Sequence, residues 1–358
     1  MKSSRLPAAA QRIAWIDIAR GLGIILVVYG HILRGLVGSH ILSKGNPVWA
    51  SDYTVYTFHM PLFFLLAGLQ VERSLSKGRW AFLKSKVMTV AYPYLLWSWF
   101  QLSVQMLAPK GSMNTEHSPS ALLTVPWHPT QQFWFLYVLF LCHLVAFATK
   151  ARRWLLMPFL AMGFFVAILI ANGTVSAAQW IGAVAPWLVF FIAGILLSKP
   201  LFSWQPGRKA AFGWMLGAAL GFAVLSHFCR TLSHGDADSI MSWPATVAGV
   251  LLIISMSHLL ARATGTLADW MGRLGRASMT IYIFHVLAGD GTRNILKKAH
   301  ILNWKTHLLV DTLAGIALPF LLHLILERLD LLAALGLGAR RRVPLPQPSP
   351  LPSSPGLE

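Results

Sequence analysis

The chain consists of long, continuous apolar runs, and its apolar and polar positions do not alternate. A mostly apolar run of about 17 to 25 residues predicts a helix that crosses a bilayer, whereas a membrane β-barrel requires alternation. We therefore predict an all-α integral membrane protein with about ten transmembrane helices in one bundle. The predicted spans lie near residues 13–37, 53–71, 87–108, 132–149, 154–172, 179–198, 210–229, 243–261, 279–296 and 307–327.

Composition supports a membrane protein. Of the 358 residues, 56% are hydrophobic and 12% are charged, and the mean hydropathy is +0.59. These values lie outside the usual range of soluble proteins.

The formal net charge of +18 is spread over short loops on alternate sides of the predicted bundle. This distribution indicates membrane topology and no nucleic-acid partner, and it predicts that both termini are cytoplasmic. The chain then divides into a cytoplasmic N-terminus at 1–12, a membrane domain at 13–328 and a Pro-rich disordered tail at 329–358. Four basic residues in and after the ninth span depart from the rule, so either they contact an anion or that span's boundary is wrong. They are Arg293, Lys297, Lys298 and Lys305.

Motifs of soluble enzymes are missing from the sequence. Cys142 and Cys229 lack metal-site spacing, so we expect neither a disulfide framework nor a bound metal. There is no phosphate-binding glycine loop, dinucleotide fingerprint, metalloprotease helix or nucleophile elbow. Any chemistry must therefore use intramembrane residues.

The first predicted span carries ionisable residues. Arg20 and His31 are eleven positions apart, so on a helix they face the same side within about 20°, with His31 about 16 Å deeper. Asp17 lies three residues before Arg20 and can neutralise it. Ionisable groups at such depth indicate function, although His31 could instead hydrogen-bond a neighbouring helix and Arg20 could reach the headgroups.

The second span contains His59, Pro61 and Gly68. Pro61 interrupts helical hydrogen bonding and Gly68 permits close helix packing, which together could place His59 opposite His31. The alternative is a kinked packing helix with an interfacial histidine.

The segment 72–86 holds five basic residues and one acidic residue, Glu72. Such a bias suits a polyanion such as the phosphates of coenzyme A, but it also suits a topological anchor or a contact with anionic membrane lipid. The basic residues are Arg73, Lys77, Arg79, Lys84 and Lys86.

Two further groups are candidates for binding. Ser278, Tyr282 and His285 recur at helical spacing and form a polar stripe that lines a cavity or joins helices. Trp134 and Tyr137 suit a sugar platform, although an aromatic belt explains them as well.

Four passages resemble the membrane acyltransferase-3 family, and within it the fucose 4-O-acetylase-like branch of sugar acetyltransferases. WIDIARGLGIILVVYGH resembles the opening helix, with Arg20 and His31 at the family's Arg and His positions. FHMPLFFLLAGL, WFLYVL and SMTIYIFH resemble a second, a middle and a late helix, and together the passages extend over most of residues 12–290.

The chain departs from the family pattern in two places. Ala67 stands where the family often has Ser. Lys86 and Thr89 precede Pro93 where the family often has two Arg residues. Lys86 keeps a positive charge, and Lys84, Arg79 or Arg276 could compensate for the second.

The resemblance implies acyl transfer from a cytoplasmic acyl-CoA to a hydroxyl of a cell-envelope or exopolysaccharide glycan, or of its lipid-linked precursor. It further implies a bacterial cytoplasmic membrane location, acetyl-CoA or another acyl donor such as succinyl-CoA, and a polysaccharide assembly machinery as a partner. On this reading neutral His31 is the general base, or the nucleophile of an acetyl-histidine route, while Asp17 orients Arg20. Arg20, Arg79, Lys84, Lys86 and Arg276 would hold the donor; His59, Trp134, Tyr137, Ser278, Tyr282 and His285 would hold the acceptor.

Two other classes compete with an enzyme. A glycan transporter or flippase also uses intramembrane His and Arg residues, but it should show internal repeats, and neither the Arg and His spacing nor FHMPLFF recurs in the second half. A sensor without chemistry predicts that an uncharged polar residue can replace His31.

Overall fold

The computed structural model of the chain describes residues 8–107, 119–129, 131–176, 180–263 and 265–338, with side chains from residue 14 onward except at 180 and 181. All regular structure in these ranges is helical. The predicted N-terminal segment 1–12 and most of the predicted tail at 329–358 lie outside the described side chains. The α-helices are α1 (Ala8–Gly38), α2 (Ala50–Tyr56), α3 (His59–Gly68), α4 (Val71–Leu75), α5 (Arg79–Lys86), α6 (Tyr92–Leu107), α7 (Ala121–Thr124), α8 (Trp134–Thr149), α9 (Arg153–Ala171), α10 (Trp180–Ser203), α11 (Arg208–Leu232), α12 (Trp243–Ala261), α13 (Thr266–Arg276), α14 (Ser278–Lys298) and α15 (Trp304–Arg328).

Eight helical segments within the described residues are long and apolar enough to cross a membrane. They correspond to eight of the ten predicted spans, which supports an integral membrane protein. The other two are also helical where the structure describes them: a π-helical turn at Val87–Ala91 leads into α6, which is described up to Leu107, and the second span lies in α14. The total of ten and the side on which the termini lie therefore stay predictions.

Helix α14 packs against α1 and α15. Its charged residues can therefore lie inside the bundle, where they find partners. Arg293 is 3% exposed, and its guanidinium pairs with Asp290 at 2.9 Å and with Asp311 at 3.6 Å. Arg293 is therefore an internal, paired cation and not a cation of an outer loop. Lys297 and Lys298 lie in the last turn of α14, where positive charge complements the helix dipole.

Helix α1 runs through the middle of the bundle, and α13 approaches it through glycine. A Cβ atom added to Gly275 would lie 1.7 Å from the backbone oxygen of Asp17, and one added to Gly21 would lie 2.1 Å from that of Met271. Both positions therefore exclude a side chain. This close approach brings the cationic end of α13 beside the start of the α1 polar stripe.

The predicted span 53–71 is interrupted in front of His59, between α2 and α3. Pro61 has no N–H to donate to the carbonyl of Thr57 four residues earlier. That carbonyl instead accepts a hydrogen bond from the hydroxyl of Thr246 in α12, at 2.8 Å. Gly68 permits the expected close packing, because a Cβ atom there would lie 2.1 Å from the backbone oxygen of Phe191 in α10. The kink is thus held by a tertiary hydrogen bond.

We predict that Gly275→Ala lowers the thermal stability of the purified protein, since one methyl group forces α1 and α13 apart. Overpacking of this kind costs about 1–3 kcal/mol. Gly213→Ala in α11 is the matched control, because a Cβ atom there meets nothing within 4 Å. Melting of both variants in detergent, followed by circular dichroism, checks the prediction; equal melting temperatures would contradict it.

Candidate active site

Two cavities open along one face of α1. Arg20, Ile24 and Val27 line a cavity of about 260 Å³, called here the Arg20 cavity. His31 and Arg34 line a cavity of about 650 Å³, the His31 cavity. The spacings of four, three, four and three residues place all five side chains on one helical face, as the Arg20 and His31 spacing predicts. Arg20 and His31 are separated by about 16 Å of continuous helix.

The two cavities share a wall. Met60 of α3 and Tyr282 of α14 line both of them. The Tyr282 hydroxyl donates a hydrogen bond to the backbone carbonyl of Gln132, which precedes α8. The wall is therefore built from three separate segments of the chain.

The tautomer of His31 follows from its surroundings. Its Nδ1 lies 2.9 Å from the backbone oxygen of Val27, and because a carbonyl only accepts, Nδ1 carries the proton. In the neutral ring, Nε2 is then the unprotonated nitrogen and can accept a proton. His31 is half-buried and lines the larger cavity, so the residue provides a neutral base there.

Two more histidines surround this base with the same tautomer. His59 donates through Nδ1 to the backbone oxygen of Val55 at 2.8 Å, and it lines the His31 cavity. His285 donates to the backbone oxygen of Tyr282 at 2.7 Å, and its ring meets that of His31 edge to face, with centroids 4.8 Å apart. The Nε2 of His285 has no hydrogen-bond partner among the described residues.

An ion pair that the sequence did not reveal lies beside His31. Arg34 donates two hydrogen bonds to Asp52, at 2.7 and 3.0 Å. The same guanidinium lies 3.1 Å from the ring centroid of Tyr56, whose centroid is 6.2 Å from that of His31 and 4.7 Å from that of His59. Arg34 continues the α1 stripe by three residues, so periodicity could have indicated it; Asp52 required the tertiary structure.

Cations gather at the Arg20 cavity. Arg20, Lys86 and Arg276 line it from three different helices. Asp17 lies between two of them, 3.7 Å from Arg20 and 3.8 Å from Arg276. One carboxylate thus offsets part of the repulsion among three cations, and the cavity keeps a net positive lining suited to an anionic group.

The structure brings only some of the predicted donor residues to this cavity. Lys86 lines it beside Thr89, and Ser278, a predicted acceptor residue, lines this cavity instead of the His31 cavity. Arg79 donates to the backbone oxygen of Phe147 at 3.2 Å and lies over its ring, and neither Arg79 nor the exposed Lys84 lines either cavity. Of the three predicted donor residues in the segment 72–86, Arg79 and Lys84 therefore face outward and Lys86 faces inward.

The His31 cavity has an aromatic wall and carboxylates. The wall includes the predicted Trp134 and Tyr137, together with Trp187, whose ring centroid is 5.1 Å from that of Trp134. Asp236 and Asp238, from the segment between α11 and α12, also line the cavity. Aromatic faces beside carboxylates can bind a polyhydroxylated ligand through ring stacking and hydrogen bonds.

Asp238 is exposed at the cavity surface, but the protein atoms around it weaken the hydration of its carboxylate and raise its pKa to about 6. The nearby carboxylates of Asp236 and Asp52 add to the rise, while the Arg34 guanidinium opposes it. The charge of this wall therefore changes near pH 6.

No group of three or more His, Cys, Asp or Glu side chains in the described part of the chain is arranged to hold a metal ion. Cys142 and Cys229 are both free and buried. The imidazole base, His31, lines the larger, aromatic cavity, and the cationic cavity lies on the other side of the Met60 and Tyr282 wall.

Comparison with known proteins shows the family to which the sequence is similar. The sequence model of the family described as "Acyltransferase domain" matches residues 13–328. Nodulation protein NolL of Mesorhizobium japonicum is 26% identical over 223 residues, which cover 59% of this chain and 54% of that protein. The chain thus spans about half the length of this relative. No solved structure matches the chain.

We predict that diethyl pyrocarbonate, which acylates unprotonated imidazole nitrogen, modifies His31 well before His285. The His31 ring borders an open cavity, whereas His285 is 0% exposed. Mass spectrometry of peptides from briefly treated membranes measures both rates, with exposed His40 and His234 as internal controls. Equal rates at His31 and His285 would contradict the described cavity.

Proposed function

Because the chain belongs to the acyltransferase family whose domain covers residues 13–328, we propose that it transfers an acetyl group from cytoplasmic acetyl-CoA to a glycan hydroxyl. The acceptor is a cell-envelope or exopolysaccharide glycan or its lipid-linked precursor, as in the sugar acetyltransferase branch that the motifs resemble. The enzyme would lie in a bacterial cytoplasmic membrane and receive its acceptor from a polysaccharide assembly machinery.

One observation carries this proposal: a cationic cavity and an aromatic cavity share the Met60 and Tyr282 wall next to a neutral histidine. Arg20, Lys86 and Arg276 suit the phosphates of coenzyme A. The aromatic and carboxylate lining of the other cavity suits a sugar. Donor and acceptor could therefore approach the wall from opposite sides and meet at His31.

The proposed chemistry uses His31 twice. Its Nε2 removes the proton from the acceptor hydroxyl while the hydroxyl oxygen attacks the thioester carbonyl carbon. The carbon–sulfur bond breaks, and the departing thiolate of coenzyme A takes the proton from the imidazolium. The reaction thus consumes no net proton and needs no further reactant.

The neighbouring residues position these groups. The Val27 carbonyl fixes the His31 tautomer, and the His285 ring limits its rotation from one side. Asp17 orients Arg20 and Arg276. Holding the two reactants together in this way removes much of the entropic part of the barrier.

We expect membranes with the wild-type protein to transfer radiolabelled acetyl from acetyl-CoA to an envelope glycan or lipid fraction. His31→Gln should lower the rate about 10²–10⁴-fold, the usual contribution of a general base. Arg20→Gln should raise KM for acetyl-CoA. His227→Gln, at an exposed ring on α11 outside both cavities, is the matched control and should keep full activity.

The outcomes separate the alternatives. Equal label with His31→Gln would refute the catalytic role of His31. If wild-type membranes transfer no label from acetyl-CoA, the same assay with succinyl-CoA tests the alternative donor, and loss of glycan export without any acyl transfer would indicate a transporter.

The pH dependence of kcat/KM tests whether Asp238 binds the acceptor. We expect kcat/KM for the acceptor to rise as pH increases through about 6, because ionised Asp238 accepts stronger hydrogen bonds from sugar hydroxyls than the protonated acid does. Asp238→Asn should remove this inflection. Asp236→Asn should move it to lower pH, since one of the charges that raise the Asp238 pKa is gone. An unchanged profile in both variants would exclude Asp238 from acceptor binding.

A further inference from the structure

His143 is a buried polar residue of the Arg20 cavity that neither the motifs nor the proposed mechanism uses. It continues a stripe on α8 in which Phe135, Leu139 and His143 line the cavity at intervals of four residues. The residue is only 2% exposed. Its position is therefore part of the cavity wall and not of the lipid-facing surface.

The chemistry of the His143 ring is defined by its contacts. Nδ1 lies 2.7 Å from the backbone oxygen of Leu139 and so carries the proton. Nε2 has no hydrogen-bond partner among the described residues. The ring packs against Phe82 and Phe191, with centroids 5.9 and 5.0 Å away. The ring is thus confined, and in its neutral form the free Nε2 can only accept a hydrogen bond.

A buried acceptor without a partner is destabilising, so such groups usually meet a ligand or water. The group that satisfies Nε2 must carry an N–H or O–H. The cavity, at about 260 Å³, is smaller than typical pockets for drug-sized molecules. It therefore suits a narrow chain, with a bulky nucleotide staying outside near the cations.

We propose that Nε2 of His143 accepts a hydrogen bond from an amide or hydroxyl of the pantetheine arm of the acyl donor, an inference that rests on the proposed function. Arg20, Lys86 and Arg276 at the same cavity bind the phosphates, and His143 binds the arm that leads from them toward the Tyr282 wall. His143 is thereby a binding residue for the donor and takes no part in proton transfer.

Calorimetric binding to the full-length protein in nanodiscs tests this assignment. The probes are coenzyme A and adenosine 3′,5′-bisphosphate, which carries phosphates but no pantetheine arm. His143→Phe should weaken coenzyme A binding about five- to tenfold, the effect of one hydrogen bond, and leave the bisphosphate unaffected. His143→Gln, whose amide oxygen still accepts, should retain most of the affinity.

His258→Phe is the matched control. His258 is also a buried histidine with an unpartnered Nε2, but it packs between Trp15 and Trp204 and lines neither cavity. This variant should bind both probes like the wild type. Equal loss of affinity in both Phe variants would show a general packing effect and overturn the assignment.

A measurement on the wild type covers the case in which His143→Phe does not fold. In protein labelled with ¹⁵N-histidine, coenzyme A should shift the Nε2 resonance of His143 and the bisphosphate should not. An unmoved resonance, or unchanged coenzyme A affinity in His143→Phe, refutes the inference alone when the wild type still transfers acetyl. A wild type that binds no coenzyme A refutes the inference and the proposed donor together.

Discussion

The packing of α1 at the centre of the bundle is the constraint on which the rest of the site depends. Other helices surround α1, so its ionisable groups do not face lipid. This arrangement avoids the high cost of an unpaired charge in hydrocarbon. Arg20, His31 and Arg34 therefore share one face, and that face must border cavities or partners. The glycine contacts with α13 bring Arg276 to the same face. The positions of the charged side chains in the site thus follow from the burial of α1.

The interruption before His59 shows a related principle. Proline creates an unpaired carbonyl, which is tolerated in a membrane only if another group satisfies it. The Thr246 hydroxyl does so from a different helix. The result is a short helix, α3, whose first turn presents His59 and Met60 to the cavities. A local backbone defect and a distant side chain together determine the shape of the wall.

Sequence periodicity predicted those parts of the site that one helix determines by itself. The common face of Arg20 and His31, the break near Pro61 and the close contact at Gly68 all follow from local rules. The Asp52 partner of Arg34, the Asp238 carboxylate and the unpartnered nitrogen of His143 depend on contacts between distant segments. The inward and outward orientation of Lys86 and Lys84 likewise depends on how the π-helical turn and α5 pack. Periodicity describes a single helix, whereas these features arise where helices meet.

The wall formed by Met60 and Tyr282 has an electrical consequence. If the two cavities opened to opposite sides of a membrane, they would shorten the insulating path across it, and much of the transmembrane potential would fall across the residues that they share. Moving one elementary charge through this wall would involve about 2.3 kcal/mol per 100 mV. The hydrogen bond from Tyr282 to Gln132 keeps a bulky aromatic ring in this wall. In a membrane, the two side chains that both cavities share would therefore also separate the aqueous spaces on their two sides.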